Sequence, residues 1–217
     1  MTILINRKEA GKKLADKLHN FKNKENTIIL ALPRGGVPVA SEISKELNLP
    51  LDLLLVRKLG LPEHEELAFG AIAIGNKIIF NDEILRKYNL SQEVINEIIE
   101  KERHELNRRK NLYRKDQSEL NLQGKTVILV DDGIATGATI SIALAALEAY
   151  ETANIIIAAP VICKWTYDEL KNKFNKIFYL ICPNELLSIS QFYQEFTPVS
   201  DEEVINLLQQ SHMQYES

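Results

Sequence analysis

Residues 127–139 read "VILVDDGIATGAT": four apolar residues run into two adjacent aspartates, and the chain then turns through Gly133 and Gly137 among small and hydroxyl-bearing residues. A short, continuous apolar run fits a strand buried on both faces. A turn rich in Gly and Thr ahead of a helix leaves backbone N–H groups aimed at an anion. Thr136 and Thr139 add hydroxyl donors. Strand, turn and helix in that order predict a phosphate site past the carboxyl end of a parallel strand.

The same alternation continues on either side. Apolar runs at residues 27–32, 51–56, 154–159 and 176–182 join 126–130 as five buried strands. Between them lie helical patterns: one capped by Asn6 with Ala10, Leu14 and Leu18 on a stripe, then 37–47, 91–115 behind an N-cap Ser91, 139–149, 167–174 and 202–209. This order predicts an α/β fold, an open and mostly parallel five-stranded sheet with helices on both faces and right-handed crossovers. Three segments are placed at the carboxyl ends of strands: "PRGG", "VRKLG" and "DDGIATGAT". The stretch "RKLGLPEHEELAFG" is expected to be a loop, and "AIAIG" and "KIIF" around Gly75 and Asn76 a short hairpin.

At 217 residues, 45% of them hydrophobic and 26% charged, the chain suits one globular domain. Its core is expected at about 1–182 and a tail at about 183–217. A formal charge of -4 argues against a nucleic-acid coat protein. No run is apolar and long enough for a signal peptide or a membrane span, so a cytoplasmic protein without membrane attachment is expected. Cys163 and Cys182, each in or beside an apolar run, read as small buried side chains, and metal-ligand spacing is absent from the sequence.

Several phosphate-binding patterns fail on the central stretch. No Gly-Lys-Ser/Thr closes the loop, as a nucleoside-triphosphate loop requires, and "GIATG" lacks the close Gly-x-Gly of a dinucleotide site. Asp131 and Asp132 are adjacent, so on an extended chain they point to opposite sides. What remains is a loop for one terminal phosphate, with carboxylates able to accept hydrogen bonds from sugar hydroxyls; the alternative is a pair that merely caps the following helix with negative charge.

This combination resembles the type I phosphoribosyltransferases, whose signature is a hydrophobic strand, two acids and a Thr-Gly-x-Thr loop holding the 5-phosphate of phosphoribosyl pyrophosphate (PRPP). The matching residues are Val127–Val130, Asp131 and Asp132, and Ala135, Thr136, Gly137, Ala138 and Thr139, with Gly133 in the turn. The fuller series "LPRGGVPVA", "VRKLG", "ELAFGAIAIG" and "VDDGIATGAT" resembles a phosphoribosyltransferase-like branch of bacteria and archaea that carries no assigned base.

The resemblance implies further roles. Arg34, Gly35 and Gly36 would contact pyrophosphate, as would Arg57 and Lys58, with a mobile flap over 58–70. Asp131 and Asp132 would hold the ribose hydroxyls and a Mg2+ ion, directly or through water. Together with Arg34 and Lys58 they form the catalytic set, and no protein nucleophile is required. A small hood from the tail would cover the acceptor, with Ile181, Cys182, Phe192 and Tyr193 beside it. The competing readings are a tight turn with an exposed Arg34, a solvated rim at Arg57 and Lys58, and tail aromatics that simply pack the tail onto the sheet. His64 falls in the flap segment, where a loop histidine is commonly solvent-exposed.

The expected activity is Mg2+-dependent transfer of phosphoribose from PRPP to a nitrogenous base or related small acceptor, in nucleotide metabolism, releasing pyrophosphate. The alternative is a PRPP-binding regulator without catalysis; a phosphohydrolase lacks a visible nucleophile. The resemblance also implies a homodimer. The basic half of 91–115, interleaved with Glu and Asn, suits a solvated or dimer-facing surface better than RNA.

Overall fold

The computed structural model describes residues 3–62, 64, 67–75, 77–115, 120–174 and 176–215. Its described strands are β1 (Thr27–Ala31), β2 (Leu51–Leu53), β3 (Val56–Gly60), β4 (Ala68–Ala73), β5 (Lys77–Phe80), β6 (Thr126–Val130), β7 (Asn154–Ala158) and β8 (Ile177–Phe178). The helices are α1 (Arg7–Lys17), α2 (Gly36–Leu47), α3 (Asp82–Tyr88), α4 (Gln92–Tyr113), α5 (Ala138–Glu148), α6 (Lys164–Leu170) and α7 (Asp201–Tyr215). The chain divides into two compact units: residues up to Leu53, Leu122–Gly137 and Thr152 onward form one, and Leu54–Asn121 with Ala138–Glu151 form the other.

The first unit is built on a five-stranded sheet in the order β2-β1-β6-β7-β8, with every pairing parallel. Residues 28–31 and 127–130 are buried throughout, as strands covered on both faces must be. Parallel register puts Ala31, Val130, Ala158 and Phe178 at one edge. The loops that leave this edge stay zipped together: Leu32 N–H donates to Val130 O at 2.9 Å and Ile134 N–H to Val161 O at 2.8 Å.

Helix α1 begins where the Asn6 side chain accepts the Glu9 amide at 3.0 Å, satisfying an otherwise orphan donor. Its stripe of Ala10, Leu14 and Ala15 is buried. Against it lies α2, ten of whose twelve residues are buried. The two helices approach closely at Gly11, where an added Cβ would lie 2.6 Å from Val39 O and 2.9 Å from Glu42 Cβ. Gly11→Val is therefore expected to cost about 1–3 kcal/mol by overpacking against a backbone that cannot retreat. Chemical denaturation measures it, and an unchanged or raised midpoint would disprove the close packing.

The second unit holds an antiparallel sheet, β3-β4-β5, with α3, α4 and α5. Helix α4 buries Ile95, Ile99, Leu106 and Tyr113 on one stripe, and Ser91 caps it by accepting the Val94 amide. On its exposed side Arg108 and Arg109 hydrogen-bond Glu105 and hold that carboxyl down at about 2.

Three sequence expectations change. The segment "VRKLG" is not a loop but strand β3, paired with β4, because a half-exposed antiparallel strand tolerates Arg57 and Lys58 beside a buried Leu59. The apolar run 51–56 divides between two sheets, β2 ending at Leu53 and β3 starting at Val56. Helix α3 was not anticipated. The hairpin of β4 and β5 is present, with its turn residue Asn76 outside the described residues. Glu63, Glu65 and Glu66 of the expected flap also lie outside them.

Candidate functional site

At the end of β6 the two acids take different partners, as adjacent residues leaving an extended chain are placed to do. Asp131 accepts the Asp132 amide on Oδ1 at 2.9 Å. The residue as a whole is only partly buried, while its carboxyl is packed about by neighbouring atoms. That burial, followed by the neighbouring Asp132 charge, raises its pKa well above the ordinary carboxylate value, while Arg7 opposes the shift.

Asp132 turns onto Arg7. Nε and Nη2 of that arginine each lie 2.8 Å from Asp132 Oδ2, Nη1 donates to Thr197 O at 2.7 Å, and the guanidinium carbon sits 3.8 Å from the centre of the Phe196 ring. From the tail, the Tyr193 hydroxyl donates to the Asp132 carbonyl at 2.7 Å. Burial and the Asp132 charge raise the pKa of that hydroxyl far above its usual value. Nothing in the pattern "NRKEAGKK" distinguishes Arg7 from the surface basics around it, so sequence reasoning passed over it. Arg7 also lines a cavity of about 220 Å³ with Lys8, Glu195 and Glu203.

The turn that follows is held from one side, and some of its amides are left uncommitted. Ile134 N–H is committed to Val161 O, Cys163 N–H donates to Ile134 O at 2.9 Å, and the Thr166 hydroxyl donates to Ala135 O. The amides of Gly133, Ala135 and Gly137 make no hydrogen bond among the described residues. Gly137 sits at φ +78°, a left-handed conformation that favours glycine. Ile189 covers Gly133 so closely that an added Cβ would lie 2.5 Å from it. Ala138 and Thr139, exposed at the start of α5, follow directly in the chain, and Thr136 is exposed in the turn.

The "PRGG" segment meets the acids through its glycines. A Cβ on Gly35 would fall 2.1 Å from Asp132 Oδ2, and one on Gly36 would fall 2.7 Å from Val130 O and 3.0 Å from Asp131 Cα. The Pro33–Arg34 peptide is cis. Arg34 itself is about half exposed, with Nη1 3.7 Å from Asp201 Oδ1, a surface pair weak enough for a bound anion to displace.

The remaining expected residues are distributed as follows. Arg57 and Lys58 lie on β3 of the second unit, where Arg57 Nε donates to Glu102 at 2.7 Å. Ile181 bridges Val161 beyond the ends of β7 and β8. Cys182 is half-buried, and its burial pushes the thiol pKa up. Phe192 is fully buried with Leu4, Ala10, Val161 and Tyr193, so its contacts are those of tail packing.

Carboxylates are the protein ligands a hard cation takes, with substrate oxygens and water supplying the rest; of the two acids here, Asp132 is engaged by Arg7 through Oδ2 and Asp131 accepts the Asp132 amide through Oδ1, so each keeps one carboxylate oxygen outside those contacts.

Comparison with known proteins agrees with the fold. The family described as the phosphoribosyl transferase domain matches residues 2–185. A Mycobacterium tuberculosis protein, represented in strains CDC 1551 and H37Rv and bearing the provisional name phosphoribosyl transferase, is 36% identical over 219 residues, or 99% of this chain. The chain spans 48% of that relative's length. The crystal structure of TT1426 from Thermus thermophilus is 32% identical and superposes with a TM-score of 0.86, covering 96% of this chain and 99% of its own.

Proposed function

Because the chain belongs to the phosphoribosyl transferase domain family, we propose that it transfers phosphoribose from PRPP to a nitrogenous base or a related small acceptor, releasing pyrophosphate. The observation that carries this reading is the set of turn amides at Gly133, Ala135 and Gly137, directly after the Asp131–Asp132 pair, that make no hydrogen bond among the described residues. A row of uncommitted N–H groups suits a monoester phosphate, and the carboxylates beside it suit the hydroxyls of one pentose.

In the proposed reaction the anomeric C–O bond breaks with its electron pair leaving on pyrophosphate, and the acceptor nitrogen forms the new bond and gives its proton to the departing pyrophosphate or to water. Positive charge builds on the ribose ring between the two events. Asp131 and Asp132 accept hydrogen bonds from the ring hydroxyls and place negative charge near that cation. Gly35 and Gly36 let the backbone approach the leaving group, and Arg34, released from Asp201, grips it with parallel donors. Mg2+, held by Asp131 and Asp132, would neutralise charge on the pyrophosphate oxygens. The roles that the family implies for Arg57, Lys58, Thr136 and Thr139, and for Ile181, Cys182 and Tyr193 beside the acceptor, are part of the same proposal.

The test is pyrophosphate release from PRPP and Mg2+ across purines, pyrimidines and non-base acceptors, with PRPP binding followed by calorimetry. Release with one acceptor class is the expected result. Binding without release for any acceptor would make the protein a PRPP-binding regulator, and failure to bind PRPP would overturn the reading.

A further inference from the structure

We infer that Arg7 is a positioning residue for the acid pair, fixing Asp132 and with it the first residues of the turn to helix α1 and the tail. The inference deepens the proposed reading, because its binding arm uses the same site. The guanidinium is engaged in three directions at once: two nitrogens at 2.8 Å from Asp132 Oδ2, one at 2.7 Å from Thr197 O, and its face 3.8 Å above Phe196. A planar fork can make such a set and an ammonium cannot. The side chain is only 11% exposed, and 125 residues separate it from Asp132.

The consequence is directional. With Oδ2 held by Arg7, backed by Gly35 and with its own carbonyl bonded to Tyr193, Asp132 has one orientation, and Oδ1 is the oxygen left to meet a ligand. The strand and turn alone do not determine this. Asp132 becomes a defined acceptor only when the first helix and residues 193–197 are docked on it.

The experiment compares wild type, Arg7→Lys, Arg7→Met and Asp132→Asn with the double variant Arg7→Met/Asp132→Asn. In the free protein, labelled for amide NMR, Arg7→Met should move or broaden the signals of Gly35, Asp132 and Gly133; spectra that superpose on wild type would overturn the inference. Calorimetry with PRPP and Mg2+ should show binding weakened about 10- to 100-fold by Arg7→Met, the usual effect of removing a group that orients a ligand-binding side chain. Arg7→Lys should recover only a minor part of that loss. If Arg7→Met does not fold, the double variant decides: it removes both charges, and it should bind no more weakly than Asp132→Asn alone. A further loss in the double variant, or full recovery by lysine, would disprove positioning through Asp132. Should wild type itself fail to bind PRPP, the transferase reading falls, and the NMR comparison still decides the role of Arg7.

Discussion

Gly35→Ala is expected to destabilise the protein by about 3 kcal/mol, a large effect for one methyl group, because it breaks a buried ion pair without touching either charge. The new Cβ would lie 2.1 Å from Asp132 Oδ2 and 2.6 Å from its Cγ. A flexible carboxylate would normally swing aside at little cost. Here two Arg7 nitrogens hold that same oxygen, so moving it leaves a buried guanidinium with only Thr197 O and the Phe196 face. The backbone of Gly35, at φ -58°, raises no objection of its own. The whole cost should therefore depend on Asp132: in an Asp132→Ala background the same Gly35→Ala change should cost less than about 0.5 kcal/mol, as independent surface changes do. Urea unfolding of the four proteins measures both numbers. Equal costs in the two backgrounds would show that Gly35 is required for some other reason.

The strand, turn and helix at 126–148 were legible because one continuous run carries the whole signal: β6 spans the expected residues, and the adjacent acids find different partners as extended geometry allows. Caps were equally local, with Asn6 and Ser91 starting α1 and α4. What failed was also local in origin. Arg57 and Lys58 looked like the end of a strand because a buried parallel strand excludes charge, whereas the chain had already crossed into an antiparallel sheet whose strand β3 is only half-buried at these residues. Helix α3 had its signal in "NDEILRKYN", an Asn cap, acids in the first turn, bases in the last and an Asn at the C-cap, but its seven residues were too short for periodicity to register. Arg7 was illegible for a different reason. Its role comes from contacts with Asp132, Phe196 and Thr197, far along the chain, and no spacing rule connects them.

That difference separates what a motif supplies from what the fold adds. The motif supplies donors and acceptors in order along the backbone: open amides after two carboxylates. For Asp132 the fold decides which carboxylate oxygen is held, and it does so through Arg7, far from it along the chain. Two acids that look interchangeable in sequence are thereby made unlike. One makes no ion pair among the described residues and is desolvated; the other is paired and held.

The inequality predicts opposite stability effects from two neighbouring, chemically identical substitutions. Asp131 has a raised folded-state pKa because burial and then the Asp132 charge disfavour its ionised form. Between the ordinary carboxylate value and that raised value, the folded protein keeps a proton that the unfolded chain releases. Stability therefore falls as pH rises through this window and stays low above it. Asp131→Asn keeps an oxygen that can accept the Asp132 amide and removes the titration, so it should flatten this part of the pH profile. At neutral pH it should exceed wild type by roughly 0.5–2 kcal/mol, the gain typical of relieving a strained functional group. Asp132→Asn should do the reverse, losing about 3–5 kcal/mol because Arg7 is left as a buried charge without its partner. Both changes should weaken binding of PRPP with Mg2+, each by about 10- to 100-fold for the loss of charge-assisted hydrogen bonds to the pentose. Urea midpoints taken from about pH 4 to pH 8 beside calorimetric titrations would measure all four effects. If the two asparagine variants shift stability in the same direction, the two carboxylates are not divided into one desolvated acid and one held anion.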